Sequence, residues 1–154
     1  MVFNWLDLLS IGAQISIISG FIYGFFWLER YRKQKVVEHQ SDDAKKGLEQ
    51  LVLIEESLDK IFGGTDTEQK EALLKRLPHA LREEYNALLL LKEIPGIPEK
   101  LHLIEHLSET VINTQHQPEV AISMIQQIFA PVGGYKQECK ELKERLVRIY
   151  VLRA

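Results

Sequence analysis

Residues 102–106 read HLIEH, which has the form H-x-x-E-H of the inverted zinc-peptidase motif. On a helix His102 and His106 share a face, Glu105 can polarise a metal-bound water, and Glu109 would be a third ligand. The match covers only these five residues, and a chain of 154 residues leaves no room for the distant acidic ligand of such peptidases. The plainer reading is a polar helix face opposite Leu101, Ile104 and Leu107. His39, His79 and His116 have no comparable neighbours and read as surface residues.

A second set of candidates lies near the C-terminus. Lys136, Lys140, Lys143, Arg145, Arg148 and Arg153 follow Gly133-Gly134, and glycines before a helix let backbone N–H groups approach a phosphate. An anion or nucleotide is one expected ligand. Charge distribution offers a competing account. Residues 41–132 carry 9 Lys/Arg against 16 Asp/Glu, whereas residues 133–154 carry 6 against 3. The last helix can therefore be a solvated face, or can dock on an acidic helix of the same bundle. Other chemistry is missing. The sequence has no P-loop, no G-x-S-x-G elbow and no dinucleotide fingerprint, so no cofactor and no catalytic residue is assigned. Cys139 is the only cysteine, which excludes a disulfide or a thiolate zinc cage within one chain, and it reads as a buried filler. Acid pairs such as Glu55-Glu56 and Glu83-Glu84 point in different directions on a helix and make no dyad. The expected protein is not an enzyme.

The elements that carry these residues follow from composition. Apolar residues are 45% and charged residues 27%, as in a globular domain with one appendage rather than a disordered tail or a multi-pass membrane protein. The net charge of −3 argues against a protein that coats duplex nucleic acid. Leu8 to Leu28 reads LLSIGAQISIISGFIYGFFWL, without a charge. As a helix it spans about 31 Å, the thickness of a hydrocarbon core. Trp5 precedes it, Tyr23, Trp27 and Tyr31 close it, and Arg30, Arg32, Lys33 and Lys35 follow. The first seven residues hold Asp7 but no Lys or Arg. The positive-inside rule then puts the N-terminus outside and the C-terminus in the cytoplasm of an inner-membrane protein. A cleaved signal peptide would need a basic start and a shorter apolar region. A buried core helix this apolar would need a larger domain around it.

Within the span, Gly12, Ser16, Gly20 and Gly24 recur every four residues, joined by Ser19, and form one narrow stripe of small side chains. Such stripes let helices approach closely in lipid, so a homo-oligomer is expected. Ser10 and Gln14 lie on the opposite side, and a glutamine amide in hydrocarbon needs a partner. Two contact sides suit a ring or bundle better than a dimer.

The stretch IGAQISIISGFIYGFFWLERYRKQK resembles the N-terminal anchors of small bacterial membrane proteins. Among these are membrane effectors of antiviral defence, including CRISPR-associated ones gated by cyclic oligonucleotides. The resemblance implies a cytoplasmic sensor behind a self-associating span. The chain departs from the HEPN ribonucleases found in some such effectors, because the cytoplasmic part has no R-x4–6-H motif.

Behind the span the fold class is all-α. The basic flank is expected to carry the first helix to about Gln40, with Ser41 as N-cap of the next. Leu48, Leu51, Ile54, Leu58, Ile61 and Phe62 mark that helix, Gly63-Gly64 ends it, and Thr65 or Thr67 caps another. Pro78 starts a new helix or kinks the old one, with Leu81, Tyr85, Leu88 and Leu89 as the following face. Pro98 and Pro118 open two further helices, and Pro131, Gly133 and Gly134 precede the last. The expected domains are residues 1–40, an anchor with its span at about 8–28, and residues 41–154, a cytoplasmic helical bundle. The leading expectation is a self-associating, single-pass membrane protein whose bundle senses an anionic ligand such as a nucleotide messenger and acts on the membrane. The alternative is a passive adaptor that recruits a cytoplasmic protein, and the third is a metal-dependent hydrolase at HLIEH.

Overall fold

A computed structural model describes residues 5–153, and side chains from 10 to 151. The side chains of Trp5, Asp7, Leu8 and Arg153, which figure in the sequence reading, lie outside those described. The described residues form five helices and no strand: α1 (Trp5–Gly63), α2 (Thr67–Leu89), α3 (Ile97–Thr114), α4 (Pro118–Phe129) and α5 (Tyr135–Arg153). A 3-10 turn, Ala130–Val132, follows α4. The chain divides into two units, Met1–Glu38 and His39–Ala154.

The first unit is the N-terminal part of α1. Every side chain from 10 to 36 is exposed, including Phe21 at 79%. This is the one described helix long and apolar enough to cross a membrane, with mean hydropathy 1.6 in its best window and none of that window buried. Two serine hydroxyls turn inward to their own backbone. Ser16 Oγ donates to the Gly12 carbonyl and Ser19 Oγ to the Ser16 carbonyl, each at 3.0 Å. Both donors are thereby satisfied without water. At the C-terminal end of the apolar run, Trp27 stacks on Tyr31 at 5.6 Å, and Lys35 Nζ sits 5.4 Å from the Tyr31 ring centre.

The second unit is a helical bundle built on alternating three- and four-residue spacings. In α1 the buried positions are Ser41, Ala44, Gly47, Leu51, Ile54, Leu58 and Ile61 among the described residues. In α2 and the turn after it they include Leu74, Leu77, Leu81, Glu84, Leu88 and Leu91, and in α5 Cys139, Leu142, Leu146 and Ile149. This spacing keeps one seam of each helix aimed at its neighbours. The second half of α1 runs antiparallel to α5. Ser41 Oγ donates to the Tyr150 carbonyl at one end, while the rings of Phe62 and Tyr135 stack at 5.0 Å at the other. Between them, a Cβ on Gly47 would lie only 3.2 Å from a Leu146 methyl.

Two expectations are corrected and a third is narrowed. Ser41 caps no helix, because α1 runs unbroken past it. No glycine or proline interrupts residues 25–46, and the hydroxyl finds its acceptor on α5 instead. Neither Thr65 nor Thr67 caps α2. Asp66 does so, accepting from the Glu68 N–H at 3.0 Å, as a short carboxylate does at a positive helix end. Of the two alternatives at Pro78 only the first, a new helix start, is excluded, since α2 passes through it. The IPGIP loop closes as its prolines require, with Gly96 at φ 86° and Pro98 in the first turn of α3.

Candidate functional site

The cations of α5 are largely engaged within the bundle. Lys143 Nζ lies 2.8 Å from Glu55 Oε2, and this hydrogen bond raises the lysine pKa. Lys136 Nζ lies 3.7 Å from Asp59, which also accepts from the Tyr135 hydroxyl. Arg145 donates to the Pro95 carbonyl at 3.2 Å. Lys140 and Arg148 are exposed and form no ion pair among the described residues. The five do not converge. At about 100° per residue Lys136, Lys140 and Lys143 share one face of α5, while Arg145 and Arg148 lie on the other side. The glycine N–H groups are occupied too. Gly133 donates to the Ala130 carbonyl and Gly134 to that of Phe129. Both glycines hold positive φ, 84° and 101°, which is why this turn needs them.

His102, Glu105 and His106 of HLIEH are exposed on α3, while Ile104 is buried in the core. His102 is 86% exposed, its Nδ1 stands 4.0 Å from Glu105, and His106 is exposed as well. No cluster of three His, Cys, Asp or Glu side chains fit to hold a metal forms among the described residues. Glu105 and Glu109 instead form one rim of a groove between α2 and α3, of about 510 Å³. His79 and Arg82 form the other rim, above Leu81, Tyr85, Ile104 and Ile112.

Gly12, Ser16, Gly20 and Gly24 lie open on α1. A Cβ on Gly12, Gly20 or Gly24 would meet nothing within 4 Å. Ser16, Gly20 and Gly24 floor a shallow recess walled by Ile17, Phe21, Phe25 and Leu28. Such a recess admits a second helix backbone.

No family model matches this chain, and no curated protein or solved structure is significantly similar to it. Function therefore rests on the chemistry of these surfaces.

Sequence reasoning missed the most unusual side chain of the bundle. Glu84 is fully buried, and neither carboxylate oxygen has a hydrogen-bond partner. Burial pushes its pKa up from 4.5 to about 8, so it is largely protonated at neutral pH. The signal was present, since Glu84 continues the seam Leu77, Leu81, Glu84, Leu88. Its neighbour Glu83 is exposed. Opposite Glu84 stands Gly47, whose Cβ position is 3.7 Å from a Glu84 oxygen, so the missing side chain makes room for the carboxyl. A second buried acid, Glu138, meets Lys100, which also reaches Glu141 at 3.4 Å. Cys139 beside it is buried, and burial first, then Glu55, pushes its thiol up to about 12. That thiol is no nucleophile at physiological pH.

Proposed function

We propose that this protein is a single-pass inner-membrane protein that self-associates through α1 and presents its helical unit to a cytoplasmic protein partner. The observation that carries the proposal is that every residue from 10 to 28, an uncharged stretch, is exposed and none of it is buried among the described residues. Leaving that many apolar side chains in water costs on the order of tens of kcal/mol, at about 1.5–3 kcal/mol for each large one. Hydrocarbon removes that cost. The aromatic and basic exit favours the orientation with the C-terminus inside, and the open recess over Gly20 and Gly24 supports close helix pairing. The α2–α3 groove, apolar at its floor and charged on both rims, suits a protein segment better than a small anion. Alkaline carbonate extraction tests the anchor: the full chain should stay with the membrane pellet, and release to the supernatant overturns the proposal. A photo-crosslinker at Ile112 tests the groove, and should trap a discrete heterologous product in cells. Its absence removes the adaptor role.

A second reading, a membrane effector that answers an anionic ligand, draws support from exposed Lys140 and Arg148 and from the resemblance of the anchor to antiviral effectors. Under this reading Lys140→Glu with Arg148→Glu abolishes a nucleotide-induced thermal shift of the detergent-solubilised chain. An oligomer that never shifts with any nucleotide rules this reading out.

A further inference from the structure

Resting on the membrane-span reading, we propose that Arg30, Arg32, Lys33 and Lys35 form a collar that selects anionic phospholipid headgroups around α1. All four are exposed, as is every residue from 30 to 36. At about 100° per residue they project near 0°, 200°, 300° and 140° around the helix, with no gap wider than about 140°. A site for one soluble anion gathers its cations on one side. A collar facing all directions fits a ligand that surrounds the helix, and a lipid leaflet is such a ligand. The axial span agrees. From Arg30 to Lys35 the helix rises about 7.5 Å, and each headgroup layer is about 5–7 Å thick. The flanking side chains mark the same level. Trp27 and Tyr31 stack as an amphipathic pair that reaches from the apolar run to the level of Arg30 and Arg32, and Lys35 Nζ lies 5.4 Å from the Tyr31 ring centre. The one acid within residues 29–36, Glu29, pairs with Lys33 at 3.1 Å on the surface and leaves the other three cations unopposed. Phosphate is the shared chemistry of headgroups and free anions, and the collar commits to headgroups.

The test uses the full chain with Trp5→Phe, which leaves Trp27 as the sole indole, in vesicles mixing phosphatidylcholine and phosphatidylglycerol. One lipid or the other carries bromine in its acyl chains, and Trp27 fluorescence is read. Brominated phosphatidylglycerol should quench more strongly than brominated phosphatidylcholine at equal mole fraction. The expected preference is on the order of fivefold, the scale of one engaged cation. It should shrink as salt rises to about 1 M, and should vanish in Arg30→Gln/Arg32→Gln/Lys33→Gln/Lys35→Gln. Quenching by brominated phosphatidylcholine reports whether that variant still inserts, and the salt series tests the collar without any variant. Equal quenching by both lipids in the parent chain overturns the collar while the span stands. Quenching by neither lipid overturns the span itself. Loss of the preference on adding glycerol phosphate at constant ionic strength overturns the headgroup assignment in favour of a soluble anion.

Discussion

Glu84 makes the stability of the bundle depend on pH in a direction opposite to that of most carboxylates. Its folded pKa, about 8, lies above the 4.5 of the open chain. Between those values the native state holds a proton that the unfolded state has lost. Stability is therefore greatest below about pH 4.5 as far as this group is concerned, and declines as pH rises through the folded pKa. The slope is about 1.4 kcal/mol for each pH unit crossed. Denaturant midpoints of the detergent-solubilised chain should fall from pH 5 to pH 8.5. The Glu84→Gln chain should lose most of that dependence and exceed the parent at pH 8.5. Parallel profiles for the two chains contradict an unpaired buried acid. Gly96 gives a second residue-level expectation. It holds φ 86°, and a Cβ there would fall on the Arg145 guanidinium. Gly96→Ala should destabilise by about 1–3 kcal/mol. Pairing it with Arg145→Ala should recover the steric part, which a double-mutant cycle reads as non-additivity.

At the scale of elements, α1 uses glycine in two opposite ways. Gly47 is buried against Leu146 and Glu84, where the missing side chain is already filled by neighbours. Gly20 faces open space, and the missing side chain awaits a neighbour. Gly20→Leu should therefore leave bundle stability unchanged while crosslinked oligomers in membranes decline, because lipid offers no hydrophobic drive to restore the lost packing. Insertion should persist, since leucine favours the bilayer. An unaltered ladder of crosslinked species means that the bundle holds the subunits together. The contrast also marks what the sequence could tell. Apolar periodicity located α3, α4 and α5, with Pro98, Pro118 and Gly133-Gly134 at their borders. It failed at Ser41, where a capping residue followed by two aspartates imitates a helix start inside an unbroken helix. Local signals cannot reveal an acceptor 109 positions away, here the Tyr150 carbonyl.

For the whole molecule, the basic residues after the apolar run predict an orientation that labelling can check. A cysteine replacing Val2 should react with an impermeant thiol reagent in intact cells, whereas one replacing Lys140 should react only after lysis. Reversed labelling contradicts the positive-inside argument. The same scale explains why the candidate sites were only partly legible. The candidate span could be read because length and apolar composition are properties of a single segment. For the α5 cations the charge division offered docking on an acidic helix as one account but could not name Glu55 and Asp59, because only folding decides which charges meet. HLIEH looked chemical for the converse reason. Five adjacent residues satisfied a pattern, and the fold left His102, Glu105 and His106 exposed without bringing a third metal-ligating side chain to them among the described residues.

The lone thiol of Cys139 gives the protein a built-in gauge of its own breathing. It is 4% exposed on the seam of α5, and its pKa of about 12 leaves little thiolate in the closed state. A reagent can modify it only when α5 lifts from the bundle, and the open chain restores an ordinary, reactive thiol. Labelling rate over a denaturant series then reads the frequency of that opening, residue-specifically and without an engineered cysteine. If α5 detaches before the other helices, the rate will rise at denaturant concentrations that leave the far-ultraviolet helical signal intact. If the bundle opens as one body, the two curves will coincide. The single sulfur thus distinguishes a peeling arm from an all-or-none core.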